Sequence, residues 1–560
     1  MYLPTTREEM EELSWKNLDI ILITGDTYID SSYIGVSVIG KVLLNLGFKV
    51  GIIAQPDIDT PADICRLGEP RLFWGVTAGS VDSMIANYTA TKKKRKRDDY
   101  TPGGINDRRP DRATIVYVNL IKHYFKNTSP IVIGGIEASL RRTAHYDFWD
   151  NKIRRSILFD SKADILVYGM AEKSIIQLAK RLAEKESITD IRGICYISNY
   201  PEKDSLVLPS FSEVKQDKKK YINMFHLFYQ NQDPYQGKVL VQQHDDRYLI
   251  HNPPSYPLSE KELDKIHELD YERDVHPYYR KWGKVRAIDT IKFSVASHRG
   301  CFGECNFCAI AVHQGKYIQS RSERSIIKEI KQLAIKKEFK GYISDVGGPT
   351  ANMYGMGCAD KSKTSHCLTK RCLFPSICSN LDINHQRQIN LLRKIKKIEG
   401  IKKVFVASGI RYDLVMADKK NGRNYLREII FNHISGQLKI APEHIKKNVL
   451  ALMGKGDNHY LSLFKKLFDH INLLARRKQF LTYYFIAAHP GCKEEDMQIL
   501  QQYIRKELHI KPEQVQIFIP APSTYSAVMY YTGINPFDGK DIFVEKKIKN
   551  KEKQKKLITN

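Results

Sequence analysis

No apolar run in the 560-residue chain reaches the about 18 residues that a membrane-crossing helix needs. The segment Thr6-Arg-Glu-Glu-Met-Glu-Glu-Leu13 is acidic and polar, so no secretory signal is expected there. Acidic residues are in deficit: 63 Asp and Glu stand against 89 Lys and Arg, a formal net charge of +26. An excess of that size admits a nucleic-acid partner. Much of it is scattered along polar helix faces. The rest is concentrated in the run Lys92-Lys-Lys-Arg-Lys-Arg97, which reads as a loop, and in the Lys-rich tail Glu545–Leu557. Solvated charge is one reading of both, RNA contact the other. The tail has almost no apolar content and is expected to be disordered. Ten cysteines without a leader fit a reducing cytoplasm, with thiols free for metal. An apolar content of 42% supports buried cores, and the length suits two to four domains.

Strands are predicted at 18–24, 48–54, 72–77, 131–133 and 163–168, with an apolar helix at 34–46 that ends at Gly47. Their alternation with helices predicts a doubly wound parallel-sheet α/β domain over residues 1–200. Residues 201–285 are rich in Asp, Lys, Tyr and Pro and read as a connecting region with a helix near 213–231. The alternation restarts at Ile291. Strands at 291–296, 342–346, 403–407, 437–440, 481–487 and 515–519 alternate with helices, one of them opened by a capping box Ser320-x-x-Glu323. Six strand–helix units predict a (β/α)6 partial barrel over 286–540, followed by a basic tail at 541–560. Catalytic groups in such barrels sit at the C-terminal strand ends.

The first of those ends carries Cys301-Phe-Gly-Glu-Cys305-Asn-Phe-Cys308. Four thiolates would close a zinc site or fill every iron of a cubane cluster. Three fill three irons of a [4Fe–4S] cluster and leave one open to bind a small molecule and pass it an electron. Three unrelated core thiols, or part of a zinc site, is the plainer alternative. A second set, Cys358, Cys367, Cys372 and Cys378 with His366 beside it, follows the second barrel strand. Its irregular spacing leaves a second cluster, a zinc ion or idle thiols open. Cys65 and Cys195 are isolated, and Cys492 reads as a buried thiol, with hydrogen-atom donation as the alternative. In the first domain Gly134-Gly-Ile-Glu137-Ala-Ser-Leu-Arg141-Arg142-Thr-Ala-His145-Tyr-Asp-Phe-Trp149 opens a helix after a strand. It is either a helix held by its own ion pairs or a substrate patch, in which Arg141, Arg142 and His145 face the barrel mouth and hold an anionic group.

The C-x3-C-x2-C spacing, with Phe307 before the last Cys, resembles the cluster loop of radical S-adenosylmethionine (SAM) enzymes. The resemblance implies that SAM chelates the open iron and is cleaved to a 5′-deoxyadenosyl radical. It also implies a flavodoxin- or ferredoxin-like reducing partner. Gly347-Gly348-Pro349 stands where such enzymes carry a Gly-Gly-Glu turn that holds the SAM amino group, so only backbone carbonyls carry over; a plain turn is the alternative. Ser408, Arg411 and Glu443 at the next strand ends suit the ribose hydroxyls and carboxylate of SAM or the substrate, with a structural ion pair the alternative for Arg411.

Together with Gly25-Asp-Thr-Tyr-Ile-Asp30, Tyr100-Thr-Pro-Gly-Gly104, Val167-Tyr-Gly-Met170, Gly347-Gly-Pro-Thr-Ala-Asn-Met-Tyr354 and Lys439-Ile-Ala-Pro-Glu-His444, these motifs resemble the YgiQ family of radical SAM proteins to about residue 540. That family supplies a cofactor and no substrate. More distantly, the first domain is similar to cobalamin-binding-like domains, and the end of the barrel is similar to methylthiotransferases. The cobalamin fingerprint Asp-x-His-x-x-Gly here reads Asp30-Ser-Ser32-Tyr-Ile-Gly35, without the cobalt-ligating His, so cobalamin is not expected. No RNA-binding barrel is expected after the second domain. The resulting expectation is a cytoplasmic radical SAM enzyme of unknown substrate. The alternatives are a methyltransferase or methylthiotransferase on RNA or protein, and a basic iron–sulfur scaffold or redox sensor.

Overall fold

The computed structural model describes residues 1–360, 367 and 371–559. The chain forms two compact units: residues 1–258 with 265–292, and residues 259–264 with 293–560.

The first unit is built on Ile20–Thr24, buried at every position and therefore able to sit at the centre of a two-sided sheet. It pairs in parallel with Val50–Ala54 on one side and Phe73–Thr77 on the other. Ile131–Gly134 and Ile165–Val167 continue the parallel run. The strand order therefore reverses between Ile20–Thr24 and Phe73–Thr77, which is where doubly wound sheets open a ligand crevice. Here that crevice is closed by the chain itself: the buried Asp26 carboxylate accepts from Ser80 N and from Arg109 Nη2, each at 2.6 Å.

Residues 201–285 differ from the connecting region expected. Leu206–Leu208, Leu240–His244 and Arg247–His251 extend the sheet to nine strands. Their signal is muted because Gln242, His244 and His251 are buried polar residues on strands otherwise read by apolar alternation. Residues 274–275 then pair with Ile29–Asp30, and Tyr279 Oη accepts from Ala54 N at 2.8 Å. This stretch is an integral part of the first unit rather than a linker.

The second unit is the (β/α)6 partial barrel. Ser294–Ala296 pairs in parallel with Asp345–Gly347, and Tyr342–Ile343 with Lys403–Val404. An Ile410–Ile440 bridge carries the order to Gln437–Glu443, which leads on to Phe480–Ala487 and Gln514–Ile517. One core of helix and strand side chains fills it, including Val346, Leu392, Leu426 and Phe485. The helix Glu323–Ala334 is capped by Ser322, whose hydroxyl accepts from Ser325 N at 3.1 Å. The expected cap, Ser320, instead pairs in a short strand and accepts from Gly355 N.

The tail also differs from expectation. Ile548–Thr559 is a helix, with Lys551, Gln554 and Ile558 buried. Lys551 Nζ donates to Tyr530 Oη at 2.7 Å, and Gln554 Oε1 accepts from Ala488 N at 2.9 Å. A few long polar side chains dock this helix, so apolar content alone does not reveal it.

Candidate active site

The cysteine loop leaves the first barrel strand through a short pairing of His298–Arg299 with Gln319–Ser320. Gly300 follows at φ 85°, where a Cβ would run into the Tyr317 carbonyl oxygen. Only glycine turns the chain here. Asn306 then pins the far side: its N donates to Met453 O at 2.8 Å and its Nδ2 to Leu452 O at 2.9 Å. Cys301 and Cys305 lie between these anchors, and Cys308 follows two residues after the second. Gly303 N donates to Cys301 Sγ at 3.4 Å, and Thr350 Oγ1 lies 3.6 Å from the same sulfur. Burial pushes the Cys308 thiol up to about 12, with Cys305 adding to it. The Cys301 thiol is raised by burial too, against the pull of Arg411.

Gly303 matters for what it lacks. A Cβ there would lie 3.2 Å from both Arg411 Nη1 and Cys301 Sγ, and 3.9 Å from Cys305 Sγ. The missing side chain leaves room at this point of the loop for both the guanidinium and the Cys301 thiol. Burial works against the Arg411 charge, but Asp413 and the thiols more than offset it, so the group stays cationic. Its Nε donates to Asp413 Oδ1 at 3.0 Å. Its backbone is held as firmly: Arg411 N donates to Asn352 Oδ1 at 2.8 Å and Asn352 Nδ2 donates to Arg411 O at 3.0 Å. Asn352 Nδ2 also meets His385 Nε2 at 3.2 Å, and His385 Nδ1 meets Asp418 Oδ2 at 2.8 Å. The carboxylate fixes the proton on Nδ1 and leaves Nε2 to accept, so a relay from Asp418 to Arg411 is complete.

Glu443 ends the fourth strand at φ 65°, a conformation that L side chains rarely adopt. It is buried, and Lys455 Nζ stands 3.7 Å away. Burial pushes its carboxyl up, opposed by Lys455 and Arg411. Ser408 Oγ is bound to Asp345, which also accepts from Ala407 N at 2.8 Å. Gly347 and Gly348 permit close packing: Cβ atoms there would lie 2.9 Å from Ser408 Oγ and 2.6 Å from the His298 ring. The Gly347 carbonyl already accepts from Ser297 N at 2.7 Å and Ser297 Oγ at 3.1 Å. Burial holds His298 down to about 4, with Nε2 against Thr350 O at 3.0 Å.

Three thiols, a half-buried cation and a buried carboxylate thus stand at the C-terminal strand ends. Among the described residues no three His, Cys, Asp or Glu converge where one ion could be held. A cubane cluster asks for something different, one thiolate on each of three irons, and the loop's donor set fits that demand.

Asn352, Asp345, Asp413, Lys455 and His298 were not singled out from sequence. One of them, Asn352, lies inside the quoted motif Gly347–Tyr354, but a motif does not say which of its side chains faces inward.

The second cysteine set lies near this loop: Cys358 and Cys367 are exposed, Cys372 and Cys378 half-buried, while His366 lies outside the described residues. Cys492 is buried, and burial pushes its thiol up to about 12. In the first unit, Glu137 accepts from Ser83 N at 2.8 Å and Thr114 N at 3.1 Å, and Arg141 pairs with Asp82. Arg142 is sandwiched between Tyr168 and Phe228 and donates to His251 Nε2 at 2.9 Å. His145 Nδ1 meets Thr143 O at 3.0 Å. All four side chains are buried within their own unit. Ser32 is buried and its hydroxyl has no partner among the described residues.

The family model described as "Radical SAM N-terminal" matches residues 2–294. A UPF0313 protein of Fusobacterium nucleatum is 57% identical over 559 residues, covering 100% of this chain and 98% of the relative. A UPF0313 protein of Thermotoga neapolitana is 49% identical over 561 residues, with the same coverage of each. Among solved structures, the radical SAM methyltransferase TsrM of Kitasatospora setae, with cobalamin and a [4Fe–4S] cluster bound, matches with a TM-score of 0.50 at 14% identity, over 89% of this chain and 74% of that one. The last likeness is one of fold.

Proposed function

The chain belongs to the UPF0313 family, the YgiQ family of radical SAM proteins, and from that premise we propose that it reductively cleaves SAM to act on a substrate by hydrogen-atom abstraction. Cys301, Cys305 and Cys308 are assigned to a [4Fe–4S] cluster, which when bound supplies one electron from a flavodoxin- or ferredoxin-like donor. The observation that carries the reading is the absent Gly303 Cβ, which leaves room for both the Arg411 guanidinium and the Cys301 thiol, each 3.2 Å from where that atom would lie. Three thiolates and a sulfide-bridged cluster concentrate negative charge, and a desolvated cation beside them both stabilises that charge and presents donors to a carboxylate.

In this reading the chain's own groups bind and orient. Arg411 pairs with the carboxylate of SAM. Glu443 and Lys455 face the same charged space, and Ser408, positioned by Asp345, contributes a hydroxyl. Because Gly347's carbonyl is engaged by Ser297, Gly348 is assigned the role of approaching the SAM amino group. The buried walls around Cys308 and Glu443 exclude water that would otherwise quench a radical.

Cobalamin is assigned no role. Ser32 stands where an imidazole would ligate cobalt, and a hydroxyl is a poor substitute for nitrogen. Residues 274–275 also cover that loop by pairing with Ile29–Asp30.

The test is anaerobic reconstitution followed by reduction in the presence of SAM. The parent should bind about four irons at this loop and release 5′-deoxyadenosine, and Cys305→Ala should lose both. Undiminished 5′-deoxyadenosine from the variant would overturn the assignment.

A further inference from the structure

We propose that the cationic ribbon Lys92–Arg97, with Arg108, Lys281 and Trp282 beside it, is a docking surface for a single-stranded polynucleotide. The surface belongs wholly to the first unit, and the proposal stands independently of SAM cleavage.

Six consecutive cations with no acid among them ordinarily spread apart in a solvated loop. This chain instead fixes them. Lys92, at φ 60°, turns the backbone: its N donates to Thr89 O at 2.9 Å, and Thr89 N donates to Lys93 O at 2.9 Å. Lys94 then bridges to Tyr88, and Arg97 to Ile105, both antiparallel. Arg95 N donates to Asn87 O at 2.7 Å. The buried Asn106 grips the ribbon twice, through its N to Lys96 O at 3.2 Å and its Nδ2 to Arg95 O at 3.0 Å. Asn87, also buried, is held in turn by Arg109 O at 3.1 Å. The backbone therefore keeps the charges at a fixed spacing, and their repulsion is not relieved by spreading. An anionic partner relieves it.

The side chains are open to such a partner. All six are exposed, and Lys94, Lys96 and Arg97 make no ion pair among the described residues. Arg95 Nε donates to the carbonyl oxygens of Ile85 and Tyr88, which leaves its charge uncompensated. Between residues 88 and 112 four acids stand against nine Lys and Arg. One of the four, Asp98, is paired with the buried Arg109 at 3.1 Å.

Cations alone suit any polyanion; the aromatic surface beside them narrows the partner. Gly103 N donates to Lys284 O at 3.1 Å and Ala287 N to Asp99 O at 2.9 Å, so the segment that follows the ribbon is tied to residues 284–287. Gly283 crosses at φ 116°, where a Cβ would lie 3.0 Å from Gly103 Cα. Trp282 is thereby brought to this surface with 36% of its area exposed. The Arg108 guanidinium lies 4.7 Å from its ring centroid and Lys281 Nζ 4.3 Å. Ile105, the partner of Arg97, is 60% exposed. Single-strand binders join cations that track the phosphates to aromatic and guanidinium planes on which bases stack. A duplex has its bases already stacked, and an acidic protein has none to offer.

The test titrates the full-length chain into fluorescein-labelled oligouridylate or oligothymidylate and reads anisotropy at about 50 and about 200 mM salt. Binding of either strand supports the proposal, and the pair tells RNA from DNA. Contact with about four phosphates predicts an affinity about 50-fold lower at the higher salt. Lys94→Gln, Lys96→Gln and Arg97→Gln together should weaken binding about tenfold or more at the lower salt, and flatten the slope of log affinity against log salt by about 2. Lys218, Lys219 and Lys220, another exposed triplet of the same unit, should bind as the parent does when changed to Gln. Trp282→Ala should weaken binding about tenfold and leave the salt slope as it was. Four results would each overturn the proposal: no binding of either strand at the lower salt, equal losses from the two triplets, an affinity untouched by Trp282→Ala, or equal affinity for duplex RNA or polyglutamate. The comparison of triplets decides even if Trp282→Ala does not fold.

Discussion

Replacing Asn352 by Ala tests whether Arg411 is positioned through its backbone as well as through its ion pair. The Asn352 side chain is fully buried, and its carboxamide satisfies both the N–H and the C=O of residue 411. Alanine removes both bonds and supplies no replacement. A typical hydrogen bond contributes about 1 kcal/mol net, and a buried group left without its partner costs about 1–3 kcal/mol. Two such losses, with some relief from entering water, come to about 3 kcal/mol. Global melting is a poor readout, because two units need not unfold in one step. Native-state hydrogen exchange reads local opening directly, and the Arg411 amide is itself one of the lost donors. About 3 kcal/mol corresponds to about 100-fold less protection across residues 408–415. Asn352→Asp should do at least as much harm, since it sets a carboxylate oxygen against the Arg411 carbonyl and His385 Nε2. Strand 20–24, in the other unit, should keep its protection. A change of less than about threefold at residue 411 would refute the positioning argument.

Two further outcomes follow from the first unit. On the proposed reading, in which Ser32 stands at the fingerprint position of a cobalt-ligating imidazole, protein produced with cobalamin available should carry far less than one equivalent; stoichiometric cobalamin by absorbance would overturn this. Burial, helped by the Arg141 charge, holds His145 down to about 4, and burial holds His244 down to about 3. Unfolded histidine takes up its proton near 6.5, so between that pH and about 4 the unfolded chain binds more protons and stability rises with pH. Stability should therefore be level above about pH 7 and fall as the pH drops from 6.5 towards 4, by on the order of 3 kcal/mol for His145 alone. Urea midpoints followed through the buried Trp74 would show it, and a midpoint independent of pH across that range would refute it.

The barrel was legible because its signals are local and repeated. Six apolar strands each precede an amphipathic helix, and parallel pairing of consecutive strands follows from that alternation. The cysteine loop stands out in the sequence because few arrangements other than a metal centre place three thiols within eight residues. What escaped was structure carried by polar groups. Strands 240–244 and 247–251 bury Gln242, His244 and His251, so their period-2 pattern is broken where the sheet needs it. Helix 548–559 docks through Lys551 and Gln554, residues that composition counts as solvated.

The same limit governed the site. Arg411 was visible as a charged residue at a strand end, but its position depends on Asn352, His385 and Asp418, which are separated from it by 59, 26 and 7 residues respectively, and only folding brings them together. Gly303 carries the strongest constraint and has the weakest sequence signal. Nothing in Cys-Phe-Gly-Glu-Cys says that its missing Cβ leaves the room that a guanidinium and a thiol both take up. Sequence thus reveals which chemistry is affordable, because reactive side chains are distinctive. It conceals how the chemistry is aimed, because aiming is done by amides, small residues and backbone bonds that look alike wherever they occur.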